Sequence, residues 1–339
     1  MTAKNANNLT LFVVFLIVFA VMSLALPDQF LSPRSLQNMA RSLPEYGLLA
    51  LGIMVAMTIG GIDLSVVSVV SLAGVITGSV LSQHEAWGMP PLLAIVLGIG
   101  AGLITAAACG LFNGVIISMA RVPAIIATLG TNGLFFGLAI VITRGHGVRG
   151  FPLGYMDISN TNFLGIPIPF IIFLAIAGLL SLVLNRTSLG FQMNMLGSSP
   201  VAARFSGIKN RAVLLKSFML IALLAGVAAI ILTSKVATMR PNYGQTYLLV
   251  AVLLSLFGGT NPDGGFSSVL GVVLAILILA MLTSGLTMLG FTPFFKNFVN
   301  GALLLIVMVV HFFRRTGKIG QLTHAVTSRF RGARETGTG

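Results

Sequence analysis

Charge is scarce in this chain, and acid is scarcer still. Only 8% of its 339 residues are charged, with twenty Lys or Arg against seven Asp or Glu, whereas soluble domains carry about 25% charged residues. A soluble globular fold is excluded. The acids are Asp28, Glu45, Asp63, Glu85, Asp157, Asp263 and Glu335, and none falls clearly at the middle of an apolar run. Ion-coupled carriers and proton pumps keep ionisable groups inside their spans, so this scarcity argues against proton coupling. Sodium held by backbone carbonyls escapes that argument, which leaves an ion-coupled secondary transporter of a small neutral solute as the alternative reading. The single cysteine, Cys109, lies in an apolar run and can form neither a disulfide nor a cysteine metal site within one chain, so it reads as a small packing residue. No G-x-x-x-x-G-K-[ST] loop occurs, so any ATP that drives the protein, with its Mg, is expected on another subunit. His84, His146, His311 and His324 are scattered and no H-E-x-x-H is present, so no catalytic residue, metal or cofactor is expected in this chain.

What the chain has in abundance is apolar sequence, at 56% hydrophobic and a mean hydropathy of +1.01. Runs of about 18 to 25 residues recur, each able to cross ~30 Å of hydrocarbon as a helix. Spans are expected near 9–26, 44–60, 66–82, 92–119, 123–143, 163–184, 213–232, 246–258, 268–290 and 293–313. The first could pass for a signal peptide, but it is longer than a usual apolar signal core and only Lys4 precedes it. It is read as a retained span. The expectation is an all-α polytopic membrane protein with about ten transmembrane helices: residues 1–8 as a cytoplasmic N-terminus, 9–313 as the membrane domain with a cytoplasmic loop at 185–212, and 314–339 as a basic cytoplasmic tail.

With the amino terminus inside, thirteen of the twenty cations fall on the cytoplasmic side, which favours that orientation. The net charge of +13 sits at membrane edges, where anionic lipids account for it better than nucleic acid does. The tail from Arg314 carries six cations and one acid, Glu335, and reads as lipid-hugging or disordered, with a partner contact as the other possibility.

Two glycine pairs interrupt the apolar pattern. "TIGGIDLSVVSVVSLAG" (58–74) sets Gly60 and Gly61 before Asp63, and "SLFGGTNPDGGFSSVLG" (255–271) sets Gly258 and Gly259 before Asp263. At the first, Asp63 can cap the following helix across a tight turn, or the glycines can open a broken helix along a water-filled path. Gly98/Gly102, Gly110/Gly114 and Gly133/Gly137 have the four-residue spacing that lets helices approach closely in lipid. Asn113, Thr128, Thr131 and Asn132 are neutral polar groups in apolar runs. They are candidates for lining a path suited to an uncharged polyhydroxylated solute, or for hydrogen bonds between helices.

"GSSPVAARFSGIKN" (197–210) encodes a short helix inside a basic loop. Ser199 can cap it, Pro200 suits its first position, and Gly207 can close it. Two turns are not stable alone. The helix makes sense if a cytoplasmic partner takes it into a groove and moves the flanking spans, 163–184 and 213–232, as levers; an amphipathic helix lying on the membrane surface is the other reading.

Four stretches carry a resemblance: "GGIDLSVVSV" (60–69), "VPAIIATLGTNGLFFGLAIVITRG" (122–145), "LGSSPVAARFSGIK" (196–209) and "GGTNPDGG" (258–265). Over residues 9–313 the chain resembles the permease subunits of monosaccharide ABC importers, the ribose, xylose, arabinose, galactose and autoinducer-2 group. The resemblance implies a bacterial inner-membrane permease for a neutral sugar-like solute. It further implies a second permease subunit, a cytoplasmic ABC ATPase and a periplasmic solute-binding protein. Ser199, Pro200, Ala203, Arg204, Gly207 and Ile208 would form the element that seats in the ATPase, and Arg34, Arg41, Arg144 and Arg149 would dock the binding protein. The chain departs from the family pattern at Val67, where glycine is usual, at Phe266-Ser267, where Arg-Gly is common, and at Ser198-Ser199-Pro200, where a Gly-Asn pair is common. Such departures suit one half of a heterodimeric permease pair.

Overall fold

Helix ends in this chain are written by proline, serine and glycine. The computed structural model describes residues 3–315, and the expectation for the tail beyond Arg315 lies outside them. Helix α1 runs Ala3–Ala25 and a single turn, α2, follows at Pro27–Phe30. Helix α3 occupies Pro33–Thr58, capped by the Ser32 side chain, which accepts from the Ser35 N–H. Then come α4 (Val66–Ser82), α5 (Pro91–Met119), α6 (Ala124–Thr143) and the short α7 (Leu153–Asn160). Strands β1 (Asn162–Phe163) and β2 (Ile166–Pro167) make a minimal antiparallel hairpin, pairing Asn162 with Pro167 and Phe163 with Ile166. The chain continues through α8 (Ile168–Arg186), α9 (Ser188–Ser198), α10 (Pro200–Phe205) and α11 (Asn210–Val236). A 3₁₀ turn at Gln245–Tyr247 leads into α12 (Leu248–Phe257), followed by α13 (Val269–Met288) and α14 (Pro293–Arg315).

Each of the ten expected spans coincides with one helix. Three features differ. Helix α3 starts at Pro33 rather than near residue 44, because its first three turns are too polar to register as apolar sequence. Helix α1 starts at Ala3, inside the segment expected to precede the membrane. The 185–212 loop contains a further helix, α9, ahead of the expected short one. Six helices are long and apolar enough to cross a membrane, and three shorter apolar helices accompany them among the described residues. The chain is a multi-pass membrane protein, α-helical but for the hairpin.

The described residues form two units that divide between Thr292 and Pro293. The second begins with α14, which exposes Phe294, Phe298, Leu305 and Ile306. In the first unit, α3 is buried almost continuously from Leu43 to Thr58, and α4 and most of α11 are buried with it. Around them α1, α5, α6 and α8 show apolar side chains to the outside, including Leu16, Ile104, Ile126, Val141 and Leu179. That inversion of the soluble pattern is what a hydrocarbon surround favours.

Glycine lets the inner helices touch. A Cβ on Gly102 would collide with the Thr77 hydroxyl of α4, and one on Gly110 would lie 2.5 Å from the Phe218 carbonyl of α11. The close-packing reading therefore holds for Gly98/Gly102 and Gly110/Gly114. Within this chain Gly133 and Gly137 have nothing within 4 Å.

Contacts sort the helix ends into two groups. At one end, the Asn7 side chain donates to the Gly258 carbonyl at 3.4 Å and the Ser268 hydroxyl donates to Asn8 Oδ1 at 2.8 Å, joining the start of α1 to the α12–α13 loop. At the other end, Val148 and Met239 exchange backbone hydrogen bonds of 2.9 and 3.0 Å. There Gln37 also donates to the Gly165 carbonyl at 3.1 Å, tying α3 to the hairpin.

Candidate functional site

Helix α10 is short, yet it is capped at both ends. Ser199 Oγ accepts from the Ala202 N–H at 3.2 Å, and Pro200 has no N–H to leave unpaired. At the far end Gly207, with φ +79°, donates to the Arg204 carbonyl and Ile208 donates to the Ala203 carbonyl, both at 3.1 Å. This is the glycine-terminated Schellman pattern. Asn210 then reaches back to the Pro200 carbonyl at 2.9 Å and closes the loop.

The phase of α10 decides what it offers. Ala203 is fully buried and packs the inner side of the helix. Val201 and Phe205, one turn apart, are 65% and 88% exposed, and sequence reading overlooked both. Arg204 and Gly207 are exposed beside them, and Ile208 is half-buried. An apolar pair with a flanking guanidinium, on a preformed helix, is a ready anchor for a groove.

Beneath α10 lie the two glycine motifs. Helix α3 ends as α10 does: Gly60 (φ +82°) donates to the Met57 carbonyl at 2.9 Å and Gly61 to the Ala56 carbonyl at 3.0 Å. Helix α12 repeats this with Gly259 (φ +84°) donating to Leu256 at 2.9 Å and Thr260 to Ser255 at 3.1 Å. After these caps the motifs diverge. Asp63 is buried and its Oδ1 accepts from the Ser65 N–H at 2.8 Å and the Ser65 hydroxyl at 2.6 Å, so it caps the start of α4. The capped turn is thus present in a chain that breaks between α3 and α4. Asp263 is exposed, in a loop organised by Asn261.

Two of the four candidate path residues, Asn113 and Thr128, serve that turn, and Thr131 bonds within its own helix. Asn113 donates to the Ser65 hydroxyl at 2.7 Å, extending the relay from α5 to Asp63. The Thr128 hydroxyl accepts from the Leu64 N–H at 3.1 Å and lies 2.8 Å from the Ala124 carbonyl. Thr131 donates to the Thr128 carbonyl at 3.3 Å. Asn132 stands apart, half-buried, with Oδ1 unpartnered among the described residues.

At the opposite end, Glu45, one of the acids that falls at a span edge, is buried. It is 5% exposed within α3; its Oε1 accepts from Lys235 Nζ at 2.6 Å and its Oε2 from the Tyr247 hydroxyl at 2.6 Å. Of the four expected docking cations, Arg34, Arg144 and Arg149 are exposed. Arg41 is already engaged, donating to the Asn160 carbonyl at 3.1 Å and to Asn162 Oδ1 at 3.0 Å. Arg149 shares a recess of about 700 Å³ with Arg240, His146 and Asn242. Arg240, expected on this side but not among the four docking cations, is brought to the 144–150 loop by the Val148–Met239 pairing.

The ribose import permease protein of Bacillus subtilis (strain 168) is 33% identical over 297 residues, which is 87% of this chain and 90% of that one. The permease protein LsrD of the autoinducer 2 import system of Escherichia coli (strain K12) is 34% identical over 269 residues, or 78% of this chain and 79% of its own. A solved chain from an inward-facing ABC transporter covers 89% of this chain at 16% identity and a TM-score of 0.45. Residues 35–308 match the family described as branched-chain amino acid transport system / permease component, and the chain belongs to that family.

Proposed function

We propose that this chain is one permease subunit of an ATP-driven importer for a neutral monosaccharide or sugar-like solute. It is a transporter component rather than an enzyme, with ATP and Mg carried by separate ABC ATPase subunits. A periplasmic binding protein delivers the solute, and a second permease, identical or paralogous, completes the path across the bacterial inner membrane. Both termini and α10 face the cytoplasm in this reading, with the recess around Arg149 and Arg240 on the periplasmic side.

The observation that carries the reading is α10, a helix capped at both ends that presents Val201 and Phe205 to the outside at an end of the bundle. Kinship with ribose and autoinducer-2 permeases supports the solute class. When ATP closes the ATPase pair, the groove holding α10 moves, and the path switches between its two openings. Ion coupling is not favoured, because the embedded Glu45 is matched by Lys235 and Asp63 is taken up by the start of α4.

The test is to extract the tagged chain gently from its native membrane with nucleotide present and identify what co-purifies by mass spectrometry. A P-loop ATPase and a second permease sequence are expected. Recovery of the chain alone, under conditions that keep other ABC complexes intact, refutes the proposal.

A further inference from the structure

Gly197, in the last turn of α9, sits where three separate segments meet without side chains between them. A Cβ there would collide with the Thr58 carbonyl at the end of α3 and lie 2.5 Å from the Gly265 nitrogen. Those two segments are themselves bonded, because the Gly265 N–H donates to the Thr58 carbonyl at 3.0 Å. A Cβ on Gly264 would lie 2.5 Å from the Gly197 carbonyl, and one on Gly265 would collide with the Ser198 hydroxyl. Gly60 lies alongside: a Cβ there would come within 3.7 Å of Gly197 Cα and 3.6 Å of the Asp263 carbonyl.

We infer that Gly197 is a positioning residue through which the stroke of α10 reaches the end of α3 and the α12–α13 loop. The inference rests on the reading of α10 as the ATPase contact. The levers anticipated from sequence were the flanking helices α8 and α11. The observed contacts add a shorter route, since α10 is separated from Gly197 only by Ser198 and Ser199. Backbone atoms in direct contact have no rotamers with which to absorb a displacement, and a close-packed joint shifts as a unit. The joint is also anchored on its far sides. Ser255 of α12 donates to the Ala50 carbonyl of α3 at 2.7 Å, and the next residues after Thr58 lead through the Asp63 cap into α4, which Asn113 ties to α5. Movement of Gly197 is therefore delivered to the most deeply buried helices of the bundle.

Gly197→Ala isolates the contact. Gly197 lies in helical conformation, where alanine is favoured, so only the Thr58 and Gly265 backbones oppose the added methyl group. Gly178→Ala, in α8 with nothing within 4 Å, is the control for helix effects. The assembled importer, reconstituted in liposomes with ATPase, second permease and loaded binding protein, gives the readout of solute moved per ATP hydrolysed. Gly197→Ala is expected to keep the ATPase subunit bound while solute per ATP falls at least tenfold, and Gly178→Ala to match the parent. Unchanged solute per ATP in Gly197→Ala overturns the inference, including where yield or thermal midpoint drops, since that pattern marks a purely structural glycine. Should Gly197→Ala fail to accumulate, Ser198→Val crowds Gly265 from an exposed position and is judged by the same ratio. Phe205→Glu separates the two levels: if it retains ATPase binding and transport, the reading of α10 fails, whereas its failure beside a normal Gly197→Ala removes only the route through the joint.

Discussion

Phe205 and Glu45 show how differently single residues contribute at the two ends of the molecule. Phe205 is 88% exposed and adds nothing to the fold by packing, so Phe205→Ala should leave the thermal midpoint of the purified chain unchanged while reducing ATPase recovered in a pull-down about tenfold. Arg204→Glu should act in the same direction, because it places a carboxylate beside the apolar anchor. Glu45, by contrast, joins α3 to α11 and to the 3₁₀ turn before α12. Glu45→Gln removes the charge that Lys235 and the Tyr247 hydroxyl share, and a lost hydrogen bond to a charged group costs about 1.5–3 kcal/mol. The cost should fall toward the lower figure, since Lys235 is 33% exposed and water can take up its ammonium. A double-mutant cycle with Lys235→Met, read by thermal unfolding in detergent, should show a double mutant less destabilised than the sum of the singles. Sequence placed Glu45 at a span edge because "PRSLQNMARSLPEYG" is too polar to read as membrane helix, although it forms the first half of a buried one.

Among the elements, glycine spacing was legible in the sequence but its meaning was not. Gly110 and Gly133 stand in similar small-residue patterns, yet only the first touches a neighbouring backbone. Gly110→Ala should be overpacked against Phe218 and destabilise by about 1–3 kcal/mol, whereas Gly133→Ala should be neutral or stabilise by up to about 1 kcal/mol through helix propensity. Thermal midpoints of the two variants under one detergent condition check this directly. Helix boundaries were readable wherever punctuation was local: Pro91 opens α5, Pro200 opens α10 and Gly207 closes it. Helix α9 was missed because "SLGFQMNMLGS" is too short and too mixed to stand out from the loop around it. The burial of Ala203 was equally invisible, since the facing of a two-turn helix is fixed by what lies beneath it. The convergence of Thr58, Gly197 and Gly265 depends on residues more than sixty positions apart, and no local pattern announces it.

At the scale of the whole molecule, the two ends carry different chemistry. One presents a capped helix with an apolar pair; the other presents exposed Arg34, Arg144 and Arg149, with Arg240 beside the last in a polar recess. If these cations receive acidic lobes of a binding protein, Arg149→Glu combined with Arg240→Glu should raise the concentration of loaded binding protein needed for half-maximal uptake about tenfold. The effect should shrink as ionic strength rises, because exposed charges are screened within about 8 Å at physiological salt. Arg41→Ala should act otherwise, loosening the hairpin it holds through Asn160 and Asn162, with a lower thermal midpoint as its first sign.

The meeting of α3, α9 and the α12–α13 loop is made by atoms that every amino acid shares. Such a junction imposes a requirement for emptiness at a few positions and is indifferent to the chemistry of the residues around them. Phe266-Ser267 and Ser198-Ser199-Pro200, two of the three departures from the family pattern, stand next to the glycines of the junction and leave them in place. Two subunits could thus diverge widely in the residues that face a solute while keeping one common mechanical linkage. A designer seeking a new cargo would be free to rewrite the walls of the path, provided the places that hold no side chain stay empty.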